Sequence, residues 1–301
     1  MPKIKNYLSL IKFSHTIFAM PFAMIGFFLG VMKENTEVSA QANDIVPFSA
    51  IWIIVKIIPV LICMITARSA AMAFNRYLDR NFDAKNPRTA IREIPAGIIS
   101  AESALLFTIL SCALFLVTCF FINTLCFALP PVALFVILFY SYTKRFTPLC
   151  HLVLGVGLSL APIGAYLAVT GAFALLPVLF SFTVLFWVSG FDIIYALQDE
   201  DFDKSQQLHS IPAALGKVKA LRVSEFLHLL AATCVIIAGI DGHFSLWYWI
   251  GVAVFIGMLI YQHSIVKPTD LRRVNIAFMT ANGIASVVFA VFVLLDIFIH
   301  H

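Results

Sequence analysis

Two acidic motifs with the same spacing lie 120 residues apart in a chain that is otherwise strongly apolar. Residues 75–83 read N-R-Y-L-D-R-N-F-D, and residues 195–203 read Y-A-L-Q-D-E-D-F-D. Because residues four apart share one face of a helix, each motif predicts a stripe of oxygen atoms. Mg²⁺ prefers carboxylate and amide oxygens, and it keeps coordination positions for water and phosphate. The two motifs therefore predict one shared site for magnesium and a phosphorylated ligand.

Five side chains are predicted metal ligands, and a further acid lies behind them. The five are Asn75, Asp79, Asp83, Asp199 and Asp203. Asp192 lies seven residues, about two helical turns, before Asp199 and inside an apolar run. A lone carboxylate there costs about 2.5 to 3.5 kcal/mol on insertion scales, so it must face a cavity or a partner. We predict that Asp192 and the four motif aspartates are the catalytic acids.

Basic and aromatic side chains accompany both motifs. Arg88, Arg92 and Lys144 stand where they would bind phosphate oxygens, arginine in bidentate geometry and lysine as a point charge. A plainer interpretation is that these cations only mark the inner side of a membrane; for these three we favour the ligand. Tyrosines beside the charges would stabilise an allylic cation with their ring faces, and they would contact substrate. The candidates are Tyr140, Tyr142 and Tyr195.

The acids themselves also have a purely structural interpretation. Asp and Asn often cap helix ends, and Arg76 or Arg80 could pair with Asp79 or Asp83 at a membrane interface. Each motif is, however, followed by the tripeptide Ile-Pro-Ala, so the repetition extends beyond the acidic residues. This repetition, with Asp192 behind the second motif, favours shared chemistry over independent ion pairs.

The elements that position these residues are predicted to be transmembrane helices. Hydrophobic residues are 61% and charged residues 12% of the 301, with a mean hydropathy of +0.96, which excludes an ordinary soluble domain. A helix needs about 20 apolar residues to cross a bilayer, and nine runs meet this need. The predicted spans are 13–32, 51–74, 104–122, 125–142, 152–169, 175–195, 223–240, 246–262 and 275–298. We predict an all-α, polytopic membrane protein that forms a single domain, residues 1–301.

The distribution of positive charge predicts the orientation. Lys and Arg are concentrated before the first span and after the second, fourth, sixth and eighth spans, and such short loops stay in the cytoplasm. The N-terminus and both motifs are therefore predicted to be cytoplasmic, in a bacterial inner membrane. Two cytoplasmic cap loops, about 75–103 and 196–222, each begin with a motif. The net charge of +4 reflects this bias and indicates no nucleic-acid partner.

The motifs and their neighbours resemble the UbiA family of intramembrane aromatic prenyltransferases through nearly the whole chain. Besides both motifs, the shared segments are 86–89, 92–97, 142–145 and 208–212. The resemblance implies nine helices around a central cavity that opens sideways to lipid, with the cap loops over its polar end. It also implies magnesium-diphosphate binding by the five predicted metal ligands and diphosphate binding by Arg88, Arg92 and Lys144. One departure is Arg76, where many members have Asp, and it bears on how many metal ions the first motif holds.

The function implied by the resemblance is Mg²⁺-dependent transfer of a polyprenyl group from its diphosphate to an aromatic acceptor. The bacterial 4-hydroxybenzoate polyprenyltransferases of quinone biosynthesis are the most similar branch, and prenylation of a dihydroxynaphthoate in a menaquinone pathway is the alternative. Two rivals come from other classes. A CDP-alcohol phosphotransferase requires a D-x-x-D-G-x-x-A-R signature that the first motif lacks. A cation transporter would place its binding groups near the membrane midplane on broken helices. The expected partners are the two substrates and membrane lipid.

Overall fold

The computed structural model describes residues 2–12, 18–42 and 49–300, and within them it is helical, with one isolated β-bridge between Lys267 and Asp270. The α-helices are α1 Pro2–Leu10, α2 Met20–Ala42, α3 Ala50–Lys85, α4 Ala101–Phe120, α5 Thr124–Ala128, α6 Pro130–Thr143, α7 Cys150–Thr170, α8 Leu175–Ala196, α9 Glu200–Ser205, α10 Ile211–Asp241, α11 Leu246–Ile265 and α12 Asn282–His300. A 3₁₀ turn, Leu197–Asp199, precedes α9, and a π-helix, Ile276–Ala281, precedes α12. The predicted all-α class is confirmed.

Seven segments of the described chain are long and apolar enough to cross a membrane. They contain α3, α4, α7, α8, α10, α11 and α12. Of the other two predicted spans, 125–142 is divided between α5 and the 14-residue α6, because Pro130 and Pro131 favour a new first turn. Span 13–32 lies partly outside the described residues, and its helix α2 carries charge in its second half. The protein is an integral membrane protein, and the predicted count of nine is compatible with this architecture.

The helix that carries the first motif is longer than predicted. Helix α3 continues 11 residues past the end of the predicted span 51–74, to Lys85. It ends where Asn86 adopts an extended conformation, with φ −90° and ψ 117°, because the residue before a proline avoids helical geometry. The first motif therefore lies on a helix, and the first cap segment is shorter than the predicted loop 75–103.

The second cap loop, predicted as 196–222, is also largely helical. Helix α8 ends at Ala196, and α10 begins at Ile211, well before the predicted span that starts at residue 223. The Ser210 side chain accepts a hydrogen bond from the backbone N–H of Ala213 at 3.2 Å and so caps α10. Gly216, with φ +75°, bends α10 after its first turn. The irregular stretch is thus confined to residues 197–210, around the second motif.

Helix α8, whose C-terminal end leads into the second motif, packs closely against its neighbouring helices. Lipid supplies no hydrophobic drive between helices, so they associate through small residues, packing and buried hydrogen bonds. At Gly155 of α7, a Cβ atom would come within 2.5 Å of the Leu185 carbonyl oxygen of α8. On its other side, α8 contributes Trp187, whose Nε1 donates to the Oδ1 of Asn282 at 2.8 Å. Helix α8 is therefore a fixed wall for the residues at its end.

Candidate active site

Both acidic motifs line one cavity of about 650 Å³. Its walls come mainly from α3, α6, α7 and α8, and Asp79, Asp83, Asp199 and Asp203 lie at one end. The cavity follows α7 from Cys150 to Ala168, which is about 27 Å at 1.5 Å per residue. Beyond the charged end the lining becomes apolar. The far end includes Ile122, Leu129 and Phe173. This shape suits a ligand with a charged head and a long apolar tail.

The first motif forms the predicted stripe on α3. The Asn75 side-chain amide donates to the Oδ2 of Asp79 at 3.0 Å. The Arg145 guanidinium donates to the other oxygen of Asp79, Oδ1, at 2.8 Å. One turn further, the Asp83 Oδ1 accepts a hydrogen bond from Arg92 at 2.6 Å. Each aspartate of this motif is therefore held by an arginine.

The second motif is held in the same way by cations from other segments. The Arg88 guanidinium donates to both oxygens of Asp199, with a distance of 3.1 Å from Nε to Oδ1. The Asp203 carboxylate, which is fully buried, pairs with Lys144 at 2.7 Å and accepts the Ser210 hydroxyl at 2.8 Å. Burial lowers the pKa of Lys144, but the attraction and hydrogen bond of Asp203, together with the nearby Asp199 carboxylate, raise it more, so its pKa lies above 10.5. Lys144 is therefore a cation at neutral pH.

These ion pairs join the two motifs. Arg88 lies in the first cap segment but binds Asp199 of the second motif. The consecutive residues Lys144 and Arg145 bind Asp203 of the second motif and Asp79 of the first. Buried charges need partners, and here the carboxylates and cations neutralise each other. The two motifs, 120 residues apart, thus form one cluster.

Two of the three candidate tyrosines line the cavity, and one does not. The Tyr195 hydroxyl accepts a hydrogen bond from Arg88 at 2.8 Å, and its ring lies 4.3 Å from the Phe278 ring. Tyr140 also lines the cavity. Tyr142 is 41% exposed and is not among the residues that line the cavity, although the Arg145 guanidinium lies 5.7 Å from its ring, so its place among the substrate-binding residues stays a prediction. Tyr140 and Tyr142 differ because residues two apart on a helix point in nearly opposite directions.

Asp192 lies deeper in the same cavity and has a partner that the sequence did not indicate. Its Oδ2 is 2.7 Å from the Nδ1 of His151, the second residue of α7. Both side chains line the cavity. The expectation that Asp192 must face a cavity or a partner holds on both counts.

Arg68, Asn86, Arg145 and His151 were missed as site residues. Arg68 lies two turns before Asn75 on α3; it lines the cavity, donates to the Lys12 carbonyl at 3.3 Å, and its buried Nε has no partner among the described residues. An arginine inside the apolar run 51–74 could have indicated a site residue, because charged residues within transmembrane spans are usually functional. Arg145 adjoins Lys144, but nothing in the sequence indicates the position of its side chain.

The oxygen donors of the cluster fit a magnesium ion. Within the described residues, no three His, Cys, Asp or Glu side chains are close enough to form a metal cluster. However, the buried Oδ2 of Asp83 receives no hydrogen bond from the part of the chain that the structure describes, and the Arg76 guanidinium is 3.9 Å away. This free oxygen, with the oxygens of Asn75, Asp79 and Asp199, is the hard donor set that Mg²⁺ uses.

Comparison with known proteins gives the class of this site. The model of the UbiA prenyltransferase family matches residues 41–284. The 4-hydroxybenzoate octaprenyltransferase of Nitrosomonas europaea is 31% identical over 228 residues, or 75% of this chain and 77% of that protein. The protein of the same name from Tolumonas auensis is 30% identical over 223 residues, or 74% of this chain and 78% of that protein.

Solved structures agree with the family match. The apo structure of a UbiA homolog from Aeropyrum pernix K1 has a TM-score of 0.76 at 27% identity, over 95% of this chain and 97% of that chain. A UbiA homolog from Archaeoglobus fulgidus bound to DMAPP and Mg²⁺ shares the fold, with a TM-score of 0.73 at 20% identity, over 98% of this chain and 99% of that chain. The class is therefore that of intramembrane prenyltransferases. This chain belongs to the UbiA prenyltransferase family, and it is an enzyme similar to the 4-hydroxybenzoate polyprenyltransferases.

Proposed function

We propose that this enzyme transfers a polyprenyl group from polyprenyl diphosphate to a ring carbon of a hydroxy-aromatic acid, 4-hydroxybenzoate or a relative, in quinone biosynthesis. The supporting observation is the cluster of four carboxylates and four cations at one end of a long apolar cavity. A diphosphate head with its metal matches the charges, and an isoprenoid tail matches the apolar walls. A transporter would instead require its binding groups near the midplane.

The donor head is proposed to bind by an exchange of partners. The metal ligands are Asn75, Asp79, Asp83, Asp199 and Asp203. With these oxygens on Mg²⁺, the cations that now pair with them, Arg88, Arg92, Lys144 and Arg145, would be available to bind phosphate oxygens. Bound Mg²⁺ supplies the charge that neutralises the leaving diphosphate. The cations add to that neutralisation, and the apolar cavity keeps water from the tail.

The reaction exchanges one bond for another. The allylic C–O bond breaks, diphosphate leaves with its electron pair, and the ring carbon forms the new C–C bond. The ring faces of Tyr195 and Phe278, which line the cavity beside Arg88, stabilise the positive charge on the allyl group. The proton displaced from the ring passes to the Asp192 carboxylate, or to the leaving diphosphate while Asp192 orients the phenol. Electrostatic stabilisation of the departing diphosphate does most of the work.

The acceptor is proposed to bind deeper than the diphosphate. Arg68 and Asp192 each lie about two turns below the first residues of the metal site, on α3 and α8. The Nε of Arg68, which has no hydrogen-bond partner in the described ranges, suits the acceptor carboxylate, and Asp192 suits its hydroxyl. A bicyclic dihydroxynaphthoate would use the same two groups, so it is included as a test substrate.

We further propose that residues 1–301 act as one domain in a bacterial inner membrane, with the N-terminus and the acidic cluster facing the cytoplasm. The positive-inside distribution of Lys and Arg supports this orientation. Bacterial relatives of the same family support the location. Cysteine labelling from each side of intact cells, at positions in the cap segments, would reverse the assignment if only the outer reagent reacted.

The proposal is tested by prenyl transfer in membranes that contain the full chain. Radiolabelled polyprenyl diphosphate is supplied with 4-hydroxybenzoate, a dihydroxynaphthoate, or neither, with Mg²⁺ or a chelator. Asp79→Ala and Asp199→Ala are expected to lower turnover about 100- to 1,000-fold, as for loss of one group that stabilises transition-state charge. Asp270→Ala, an acid paired with Arg272 outside the cavity, is the matched control and stays at the wild-type rate. Near-normal turnover of the two site variants would refute the site.

A further inference from the structure

His151 connects the deep acid to the second cap loop. It lies at the start of α7, its side chain is only 4% exposed, and its Nδ1 is 2.7 Å from the Oδ2 of Asp192 on α8. Its other nitrogen, Nε2, lies 3.4 Å from the backbone nitrogen of Ile211. Through these two contacts the ring connects α7 with α8 and with the start of α10.

The backbone contact determines which nitrogen carries the proton. The Ile211 N–H is a donor only, so the Nε2 of His151 must accept. In a neutral imidazole the remaining nitrogen is then the donor, which places the proton on Nδ1, facing Asp192. This assignment follows from the hydrogen-bond partners rather than from a hydrogen position. His151 is thus prepared to donate a hydrogen bond from Nδ1 to the Asp192 carboxylate.

The same segment also holds the metal site. Ser210, next to Ile211, donates its hydroxyl to the Oδ2 of Asp203 at 2.8 Å. The backbone N–H of His209 donates to the Lys144 carbonyl at 2.7 Å. Three consecutive residues therefore attach to a proposed metal ligand, to a proposed phosphate-binding residue, and through His151 to Asp192.

We propose that His151 is a positioning residue that orients Asp192 toward the aromatic acceptor. By engaging Oδ2, it leaves the Oδ1 of Asp192, which receives no hydrogen bond from the described residues, directed to the cavity. The Asp192 side chain is 24% exposed, whereas that of His151 is 4% exposed, so the acid meets substrate and the histidine does not. The inference rests on the proposed function, because it assigns Asp192 to the acceptor rather than to the donor.

This arrangement has a consequence for the kinetics. A residue that orients only the acceptor-facing acid affects the acceptor half of the reaction and leaves the donor half unchanged. His151→Phe keeps a ring of similar size but removes both hydrogen bonds. We expect kcat/KM for the aromatic acceptor to fall about 10- to 100-fold, the range typical of losing an orienting partner. The KM for polyprenyl diphosphate and inhibition by inorganic pyrophosphate stay at wild-type values, because Ser210 and His209 keep their own hydrogen bonds to Asp203 and Lys144.

Two further variants separate positioning from packing. In His151→Asn the side-chain amide can donate from nearly the place of Nδ1, so it restores most of the acceptor kcat/KM. His263→Phe makes the same change in another histidine, whose Nε2 is 2.9 Å from the Nδ1 of His228 in α10, away from the cavity. This control reports the general cost of removing a membrane-embedded histidine, measured as the melting temperature in detergent. It leaves the acceptor kcat/KM unchanged.

The possible outcomes distinguish failure of the proposed function from failure of the positioning role of His151. Wild-type protein that transfers no prenyl group to any acceptor refutes the proposed function itself. Active wild type with His151→Phe unchanged toward the acceptor overturns the positioning role. The positioning role is also overturned if His151→Phe impairs the donor and acceptor kinetics together, or if His151→Asn does not restore the acceptor kcat/KM. An acceptor-specific loss that asparagine repairs supports it.

Discussion

The two acidic motifs have identical spacing but different backbones. The first lies on one unbroken helix, α3, so the relative positions of Asn75, Asp79 and Asp83 follow from helix geometry alone. The second crosses the end of α8, a 3₁₀ turn and the six-residue α9. Here side-chain contacts from other segments supply the rigidity that the backbone lacks. Equal spacing is therefore compatible with two kinds of support: helix geometry makes the first motif rigid, whereas side-chain contacts tether the second.

The largest expected effect tests the tether between the motifs. Arg88→Ala removes both bonds to Asp199 and the bond to Tyr195, so we expect donor kcat/KM to fall about 100-fold, a loss typical of one electrostatic group. Arg88→Lys recovers only part, because an ammonium cannot form the bidentate pair. The corresponding change at the first motif is Arg92→Lys. It replaces a single hydrogen bond of 2.6 Å to Asp83, so we expect a smaller decrease in donor kcat/KM. Equal losses for the two lysine variants would contradict the distinction.

A smaller effect is expected where Ser210 holds the second motif. Ser210→Ala removes a bond to Asp203 and the cap of α10, a loss of about 1 to 2 kcal/mol. We expect a lower melting temperature and several-fold more Mg²⁺ for half-maximal activity. On the first motif, Thr89→Val removes only the bond from the Thr89 hydroxyl to the Asp83 carbonyl, 3.1 Å long. A Mg²⁺ requirement that rises equally in both variants would show that neither motif depends on its tether more than the other.

The pH dependence of the second motif follows from Lys144. Its pKa in the folded protein is raised above its ordinary value of 10.5. From neutral pH up to 10.5, the stabilisation that the charge of Lys144 contributes is therefore complete, and it disappears as the pH rises through the folded pKa of Lys144. In thermal melts, Lys144→Gln should lie below wild type from pH 7 to 10 and converge with it at higher pH. A difference that vanishes already near pH 8 would contradict this.

The smallest effect concerns the tyrosines. Tyr195→Phe removes only the hydroxyl that accepts from Arg88, so we expect a decrease of a few-fold in kcat, about 1 kcal/mol. Tyr142→Phe changes an exposed hydroxyl outside the cavity and stays within about two-fold of wild type, as surface substitutions usually do. Steady-state rates in membranes separate the two. A greater loss at Tyr142 would support its predicted place in the site.

Much of the architecture was predictable from local signals. Apolar runs predicted the helices because a bilayer imposes helix length and internal hydrogen bonding. The repeated four-residue spacing predicted the acid stripe that α3 carries. Boundaries were less predictable: α3 continues to Lys85 because helical propensity persists past the apolar run until Pro87 stops it. The direction of Tyr142 was not predictable either, because a mostly apolar helix has no polar face that indicates which side meets the cavity.

By itself, the sequence determined the all-α membrane class, the chemical nature of the two motifs and their family, since each depends on residue type and short-range spacing. The tertiary structure alone decided which cation meets which acid. Arg145 with Asp79, Arg88 with Asp199 and His151 with Asp192 are 66, 111 and 41 residues apart. Pairs at such separations form only when packing brings distant helices together, and local periodicity carries no record of that packing.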